Sequence, residues 1–263
     1  MDLLHQQKTN QKIILISSLI FLFLAVLLII GLFRRYQFIN KTKKIIEREK
    51  NLSNSLLLNI LPEETAEELK ENGKVLAKKY ELATVLFTDF DGFTNYSENL
   101  PPEKLVESID YYFSKFDEII DKYDLEKIKT IGDSYMCAGG IPFPTDNHAY
   151  KIILAAFEII AFVEQSKNRI VENRINFKVR IGVNSGSVVA GIVGTKKFAY
   201  DIWGDTVNIA SRMESNSVTG KINISENTFQ LVKNHFNCKY RGQIRVKNKG
   251  MMKMYFVENS INN

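Results

Sequence analysis

Cysteine and histidine are scarce in this sequence, and their scarcity excludes two kinds of site. The two cysteines, Cys137 and Cys238, can form neither a disulfide framework nor the paired spacing of a zinc site. The three histidines, His5, His148 and His235, lie far apart along the chain and form no metal-binding motif. This composition favours a domain that works in a reducing compartment.

A basic excess spread over the whole chain is also lacking. The net charge is +5, and residues 34–50 alone carry seven basic and two acidic groups. The rest of the chain is balanced, with 28 basic and 28 acidic residues. A nucleic-acid-binding domain is expected to distribute its positive charge over a binding face. The charge distribution therefore argues against a nucleic-acid partner.

One long hydrophobic run is present near the N-terminus. Residues 13–33 carry no charge, and only Ser17 and Ser18 among them are polar. A helix of this length spans the roughly 30 Å hydrocarbon core of a bilayer. Buried core helices rarely stay apolar for so long, and a signal peptide has a shorter apolar region followed by a small-residue cleavage site. We therefore predict a transmembrane helix.

The charges that flank this run predict its orientation. Only Lys8 and Lys12 precede it, whereas five basic residues follow it closely: Arg34, Arg35, Lys41, Lys43 and Lys44. Positive residues favour the cytoplasmic side. Residues 1–12 are thus expected to be a short extracytoplasmic N-terminus. The protein is predicted to be a single-pass protein of the cell (inner) membrane, with the rest of the chain in the cytoplasm.

Residues 34–74 are predicted to join the membrane to a folded domain through helices. Phe38, Ile45 and Leu52 repeat every seven residues and Leu56 follows, which indicates a short dimerising helix within 36–60. A second helix is expected between Pro62 and Gly73, because proline favours the first helical turn and glycine the position after the last. The folded domain is predicted to cover residues 75–263.

The order of elements in this domain predicts an α+β fold. We expect a strand at 82–88, a helix at 102–123, a hairpin at 125–140 that turns at Gly132-Asp133, a helix at 146–164 and a strand at 175–183. The order β-α-β-β-α-β is typical of a ferredoxin-like core. A glycine-punctuated stretch to Gly194, a helix at 206–214 and a final strand, helix and two strands form a C-terminal extension.

Two acidic residues lie at strand ends that this fold brings together. Asp89 ends the first strand, and Asp133 lies at the tip of the hairpin. Either residue alone is typical of a polar turn. Two converging carboxylates can also hold Mg²⁺, which prefers one or two carboxylates and substrate phosphate oxygens. The run DGFT at 91–94 would offer backbone N–H groups to those phosphates.

Four motifs resemble the class III nucleotidyl cyclase catalytic domain: VLFTDFDGFT, KIKTIGDSYM, YDIWGDTVNIASRMES and VKNKGMMKMYFV. LPEETAEELK, at 61–70, resembles the segment that commonly precedes this domain. The similarity covers about residues 55–258 in order. It implies conversion of a nucleoside triphosphate into a 3′,5′-cyclic monophosphate and pyrophosphate with two divalent ions, Mg²⁺ or Mn²⁺, per active site.

The resemblance also implies roles for individual residues. Asp89, Asp133 and the backbone carbonyl of Phe90 match the metal ligands. Asn208 and Arg212 match the pair that orients the ribose and stabilises the transition state; they lie four residues apart and share a helix face. The remaining substrate-binding positions are Gly92, Phe93, Thr94 and the phosphate-binding Lys247, together with the base-reading Lys129 and Asp201.

The base-reading pair predicts the nucleotide. Adenine presents an amino donor at N6 and an acceptor at N1, whereas guanine reverses both polarities. Lys129 donates and Asp201 accepts, so the pair suits ATP; the guanine-selective pattern resembles Glu and Cys at these positions. The family geometry implies a head-to-tail homodimer, in which Asp89 and Asp133 of one protomer face Lys129, Asp201, Asn208, Arg212 and Lys247 of the other.

Three alternatives are weighed beside an adenylate cyclase. A guanylate cyclase is disfavoured by Lys129 and Asp201. A catalytically silent regulatory domain is expected to lack a metal acid or the transition-state arginine, and both are present. A polymerase-like or diguanylate-forming enzyme is expected to carry a GG[DE]EF-type hairpin turn, whereas this chain has IGDSY.

Overall fold

The computed structural model describes residues 2–168, 175–194, 198–246 and 250–261. The chain divides into two units, Met1–Asn59 and Ile60–Asn263. The first unit contains one helix, α1 (Asp2–Leu58), which includes the predicted membrane span and most of the predicted dimerising helix. Its most apolar stretch of 18 residues has a mean hydropathy of 3.3 and is not buried. By length and composition, α1 is able to cross a membrane.

The second unit begins with a short helix, α2 (Glu63–Asn72). Pro62 precedes it, and Gly73 ends it in the left-handed conformation at φ 67°, as the sequence predicts. Ala66 of this helix is fully buried, and Glu68 accepts a hydrogen bond from the backbone N–H of Leu76 at 2.9 Å. The helix therefore packs against the domain that follows it.

The rest of the second unit contains helices and strands in alternation. They are β1 (Lys78–Phe90), α3 (Phe93–Asn99), α4 (Pro102–Lys122), β2 (Glu126–Ile131), β3 (Ser134–Gly139), α5 (His148–Asn168), β4 (Val179–Val193), β5 (Ala199–Trp203), α6 (Asp205–Ser215), β6 (Ile222–Ser225), α7 (Glu226–Val232), β7 (Phe236–Val246) and β8 (Gly250–Ser260). The strands described form one eight-stranded sheet in the order β2-β3-β1-β4-β6-β8-β7, and β5 pairs with β4.

The predicted ferredoxin-like core is confirmed. The strands β2, β3, β1 and β4 lie side by side in that order, and β1 is antiparallel to both of its neighbours. Helices α4 and α5 cover one face of this sheet, where Phe116, Ile152 and Ile181 belong to the same buried cluster. Alternate residues of a strand point to opposite faces. Gly182 therefore lies on the other face, against α6.

Several element boundaries differ from the sequence-based expectation. The first strand begins at Lys78 instead of residue 82, because its polar first residues pair with the distal end of β4. The fourth strand covers Val179–Val193 instead of 175–183. The glycine-punctuated stretch that follows residue 183 continues this strand to Val193, and Gly186 in it lies under α6, where a Cβ atom would be 2.7 Å from Thr206 Oγ1. Helix α3 and strand β5 were not predicted from the sequence.

Candidate active site

The carboxyl groups of Asp89 and Asp133 meet at one edge of the sheet. Antiparallel pairing of β1 with β3 brings the end of β1 beside the turn at Gly132-Asp133. Burial and a hydrogen bond to Asp89 raise the pKa of Asp133 to about 6. Ser134 donates a further hydrogen bond to Asp89 Oδ1 at 3.3 Å. The convergence that the sequence predicts for the two acids is present in the structure.

Phe90 anchors the end of β1 in the core, and its backbone contacts the acidic pair. Its side chain is 2% exposed and stacks on Phe177, with ring centroids 4.3 Å apart, and on Phe113 at 5.6 Å. A backbone hydrogen bond from Phe90 reaches the carboxyl group of Asp133 and opposes the rise in its pKa. The aromatic core therefore holds the strand end beside the two acids.

Arg180 contacts the acidic pair, and the sequence did not predict this contact. It lies directly opposite Asp89 in the β1–β4 register and forms an ion pair with it. Its Nε atom also donates to Glu214 Oε1 at 2.5 Å, and Glu214 is a buried residue of α6. The available signal was that Arg180 is the single charged residue of β4. Its charge balances the acidic pair and links that pair to α6.

The acidic pair suits a divalent cation. Carboxylate oxygens are the ligands that Mg²⁺ and Mn²⁺ prefer, and two nearby carboxylates ionise together more easily beside a cation. Within the described residues, no group of three His, Cys, Asp or Glu side chains converges. The pair therefore leaves most of a metal's coordination sphere to substrate oxygens and water, as is usual for Mg²⁺ at phosphate sites.

The chain turns sharply after the acidic pair. Gly92 takes the left-handed conformation at φ 74° and precedes α3, whose first residues are Phe93 and Thr94. The first backbone N–H groups of a helix have no partner within that helix. Asp91, which precedes this turn, accepts a hydrogen bond from Thr219 Oγ1 at 2.8 Å, and its other carboxylate oxygen lies 3.8 Å from Arg180 Nη1.

Lys129 and Asp201, the predicted base-reading residues, are in contact. The Lys129 Nζ atom lies 2.5 Å from Asp201 Oδ2, although 72 positions separate the two residues. The Asp201 Oδ1 atom accepts the backbone N–H of Ile202 at 2.8 Å, which fixes the carboxylate. The side chain of Lys129 is 40% exposed, and that of Asp201 is 17% exposed. A donor and an acceptor are thus presented side by side.

Asn208 and Arg212 lie on the exposed side of α6. The opposite side of this helix is buried against the sheet through Ile209, Met213 and Glu214. Both side chains are therefore accessible to a ligand or a protein partner that binds to this surface. Lys247, the predicted phosphate-binding lysine, lies outside the described residues, between β7 and β8.

A ferredoxin-like domain that brings two carboxyl groups together at the ends of its first strand and its hairpin is able to hold a divalent cation beside a phosphate. A sequence profile of the adenylate and guanylate cyclase catalytic domain matches residues 75–259. The chain belongs to this family.

Relatives with both nucleotide preferences are similar to the chain. The adenylate cyclase of Mycobacterium tuberculosis is 40% identical over 219 residues, which cover 82% of this chain and 48% of that protein. The guanylate cyclase soluble subunit beta-2 of Rattus norvegicus is 38% identical over 215 residues, covering 81% and 31% of the two chains. The chain therefore spans about half, or less, of these relatives.

A solved structure whose sequence is about as similar to this chain has the same fold. The catalytic core of a rhodopsin-guanylyl cyclase with converted specificity, in complex with ATPαS, has a TM-score of 0.66 and 36% sequence identity. The match covers 70% of this chain and 98% of that chain. The family identifies the domain as a nucleotidyl cyclase catalytic domain. It does not distinguish ATP from GTP, so the substrate has to be argued from the residues of the site.

Proposed function

We propose that the protein is an adenylate cyclase that converts ATP into 3′,5′-cyclic AMP and pyrophosphate. The observation that carries the choice of ATP is the contact between Lys129 and Asp201. The ammonium group can donate to adenine N1 and the carboxylate can accept from the N6 amino group. Guanine would meet each of these groups with the wrong polarity, which leaves polar groups of the base and the site without hydrogen-bond partners.

The proposed chemistry begins with the acidic pair. Asp89, Asp133 and the carbonyl of Phe90 would hold two Mg²⁺ or Mn²⁺ ions. Such ions activate an attacking oxygen and neutralise a leaving group. In the protein itself, Arg180 holds Asp89 in place through their ion pair. The backbone N–H groups of Gly92, Phe93 and Thr94 would bind phosphate oxygens at the turn into α3.

The remaining residues would orient the nucleotide and stabilise charge. Asn208 would orient the ribose, and Arg212 would provide a fixed positive charge where negative charge develops, which is worth several kcal/mol in comparable sites. Lys247 would bind a phosphate. We propose that these residues, with Lys129 and Asp201, act on the nucleotide held by the metal acids of a second copy. A homodimer would then contain two equivalent sites.

The N-terminal unit supports a membrane location. The apolar part of α1 is long enough to span a bilayer, and basic residues follow it at 34–50. We propose a single-pass anchor that leaves the catalytic domain in the cytoplasm. Membrane flotation of the full chain, compared with a chain that begins at Ile60, tests this proposal, and a full chain that stays soluble would contradict it.

The nucleotide preference is tested by direct competition. The full chain, purified in detergent or nanodiscs, is incubated with equal concentrations of ATP and GTP and with Mg²⁺ or Mn²⁺, and both cyclic products are quantified by mass spectrometry. We expect cyclic AMP to dominate. Dominant cyclic GMP would make the protein a guanylate cyclase, in line with its relatives of that activity, and no product from either nucleotide would indicate a silent regulatory domain.

A further inference from the structure

Helix α6 packs unusually closely on the sheet. A Cβ atom added to Gly182 would lie 1.8 Å from the backbone nitrogen of Glu214, and one added to Gly186 would lie 2.7 Å from Thr206 Oγ1. The two glycines of β4 therefore lie under the last and the first turn of α6. Such close contact leaves the helix little freedom to move toward the sheet, but it does not by itself prevent rotation about the helix axis.

Two buried asparagines bind the backbone of α6 at its two ends. Asn184 of β4 donates through Nδ2 to the carbonyl oxygen of Thr206 at 2.9 Å. Asn223 of β6 donates through Nδ2 to the carbonyl oxygen of Met213 at 2.8 Å. The two side chains are 1% and 0% exposed. Ser225 donates to Asn184 Oδ1 at 2.6 Å, so the orientation of that amide is also fixed.

The hydrogen bonds from Asn184 and Asn223 differ in what they do for the helix, but both connect it to the sheet. Met213 lies in the last turn, where helix carbonyls have no partner within the helix, so Asn223 satisfies one of them. A carbonyl in the first turn already accepts a bond within the helix, so the bond from Asn184 to Thr206 is additional. Together they connect α6 to β4 and β6 at points about 10 Å apart along the helix axis. Rotation of α6 would stretch both.

Asn208 and Arg212 lie between these two anchor points, on the exposed side of α6. A rotation of about 10° moves a side-chain atom near the helix surface by about 1 Å, which is comparable to the tolerance of a catalytic site. A misplacement of about 1 Å can cost about 100-fold in rate. The orientation of α6 about its own axis is therefore expected to affect the catalytic rate.

We propose that Asn184 and Asn223 are positioning residues of the cyclase reaction: they fix the rotation of α6 and thereby place Asn208 and Arg212 toward the reacting nucleotide. The inference rests on the proposed function of those two residues. Neither asparagine contacts the nucleotide in this account, and each acts only through the helix that it holds.

The first test compares kinetics. Asn184→Ala and Asn223→Ala in the full chain are each expected to lower kcat at least about 10-fold while the KM for ATP changes less than about 3-fold, because the helix is displaced where transition-state charge is stabilised. Ile159→Val is the stability control. Ile159 is also fully buried, but it lies in α5, which covers the other face of the sheet from α6.

The control separates positioning from general stability. Ile159→Val is expected to lower the melting temperature, because a buried methyl group is lost, but to keep kcat within about 3-fold of the unchanged protein. If Ile159→Val loses as much kcat as the asparagine variants, the proposal is overturned. Unchanged kcat in both asparagine variants would also overturn it.

The second test does not require turnover. Hydrogen exchange of the α6 backbone amides is expected to become at least about 5-fold faster in both asparagine variants and to stay unchanged in Ile159→Val. Unaltered exchange in α6 would overturn the inference whether or not the protein is active. If the unchanged protein converts neither ATP nor GTP, the proposed function fails, and the exchange result alone then decides whether the asparagines fix the helix.

Discussion

At the scale of single residues, the acidic pair shows how the fold concentrates negative charge. Asp89 and Asp133 share a hydrogen bond, and the pKa of Asp133 rises to about 6 because of burial and this neighbour. Arg180 offsets part of the charge from the opposite strand. The pair was predictable because both acids end strands that the ferredoxin-like order places side by side. Arg180 was not, because strand register cannot be read from residue types alone.

Removal of one charge from the pair should stop turnover. Asp133→Asn keeps the size of the side chain but weakens metal binding, so we expect less than about a tenth of the original activity with the fold intact. Product formation, circular dichroism and size-exclusion chromatography are measured together. Asp124→Asn is the control, because Asp124 pairs with Lys151 at 2.8 Å, away from the acidic pair; it should retain activity within about 3-fold. Similar activity in both variants would contradict the metal assignment.

The contact between Lys129 and Asp201 predicts how specificity can be altered. Lys129→Glu combined with Asp201→Cys inverts both hydrogen-bond polarities, so the ratio of ATP to GTP turnover should fall at least about 10-fold. Lys127→Glu provides the control, since it reverses a charge on the same strand where Lys127 pairs with Asp117 at 2.7 Å. An unaltered ratio in the double variant would show that the base is recognised elsewhere.

At the scale of elements, amphipathic helices and the apolar hairpin were predictable from periodicity. The helix at Pro102–Lys122 and the hairpin turn at Gly132 agree with the sequence-based expectation. The second half of β4 was not predictable, since its glycines have low strand propensity, and the need for Gly186 is explained only by the helix above it. The same limit applies to the asparagines under α6, whose partners are backbone atoms distant in sequence.

The close contact of α6 with β4 predicts a steric effect. Gly182→Ala places a methyl group within 1.8 Å of backbone atoms of α6, so we expect a loss of about 1–3 kcal/mol in the free energy of unfolding and a marked loss of activity. Gly191→Ala lies on the same strand, where the nearest atom, Ala77 Cα, would be 3.4 Å away. Chemical denaturation of both variants should show destabilisation only in the first; equal stability would contradict this packing.

At the scale of the whole molecule, the acidic pair and the exposed side of α6 belong to the same catalytic domain but are proposed to serve different active sites. Arg180 connects them, because it binds Asp89 and Glu214 at once. This link affects the choice of variants for a dimer experiment. Removal of the Asp89 carboxylate would also leave Arg180 without one partner and disturb α6. Asp133→Ala is the cleaner way to inactivate the metal site.

Complementation between inactive variants measures the central claim most directly: two copies of the chain form each adenylate cyclase site. Asp133→Ala and Arg212→Ala full chains are mixed, allowed to exchange protomers, and assayed for cyclic AMP with heterodimers quantified by two affinity tags. With random pairing, about half of the dimers are mixed and each contains one intact site, so the mixture should recover about a quarter of the original activity.

The control is a mixture of Asp133→Ala with Asp89→Ala, which carries a lesion of the same metal site in every protomer and should stay inactive. Recovery in the first mixture and none in the second is the result that the account predicts. If the first mixture contains heterodimers and remains as inactive as its components, each site is built within one chain, and the shared-site account is wrong.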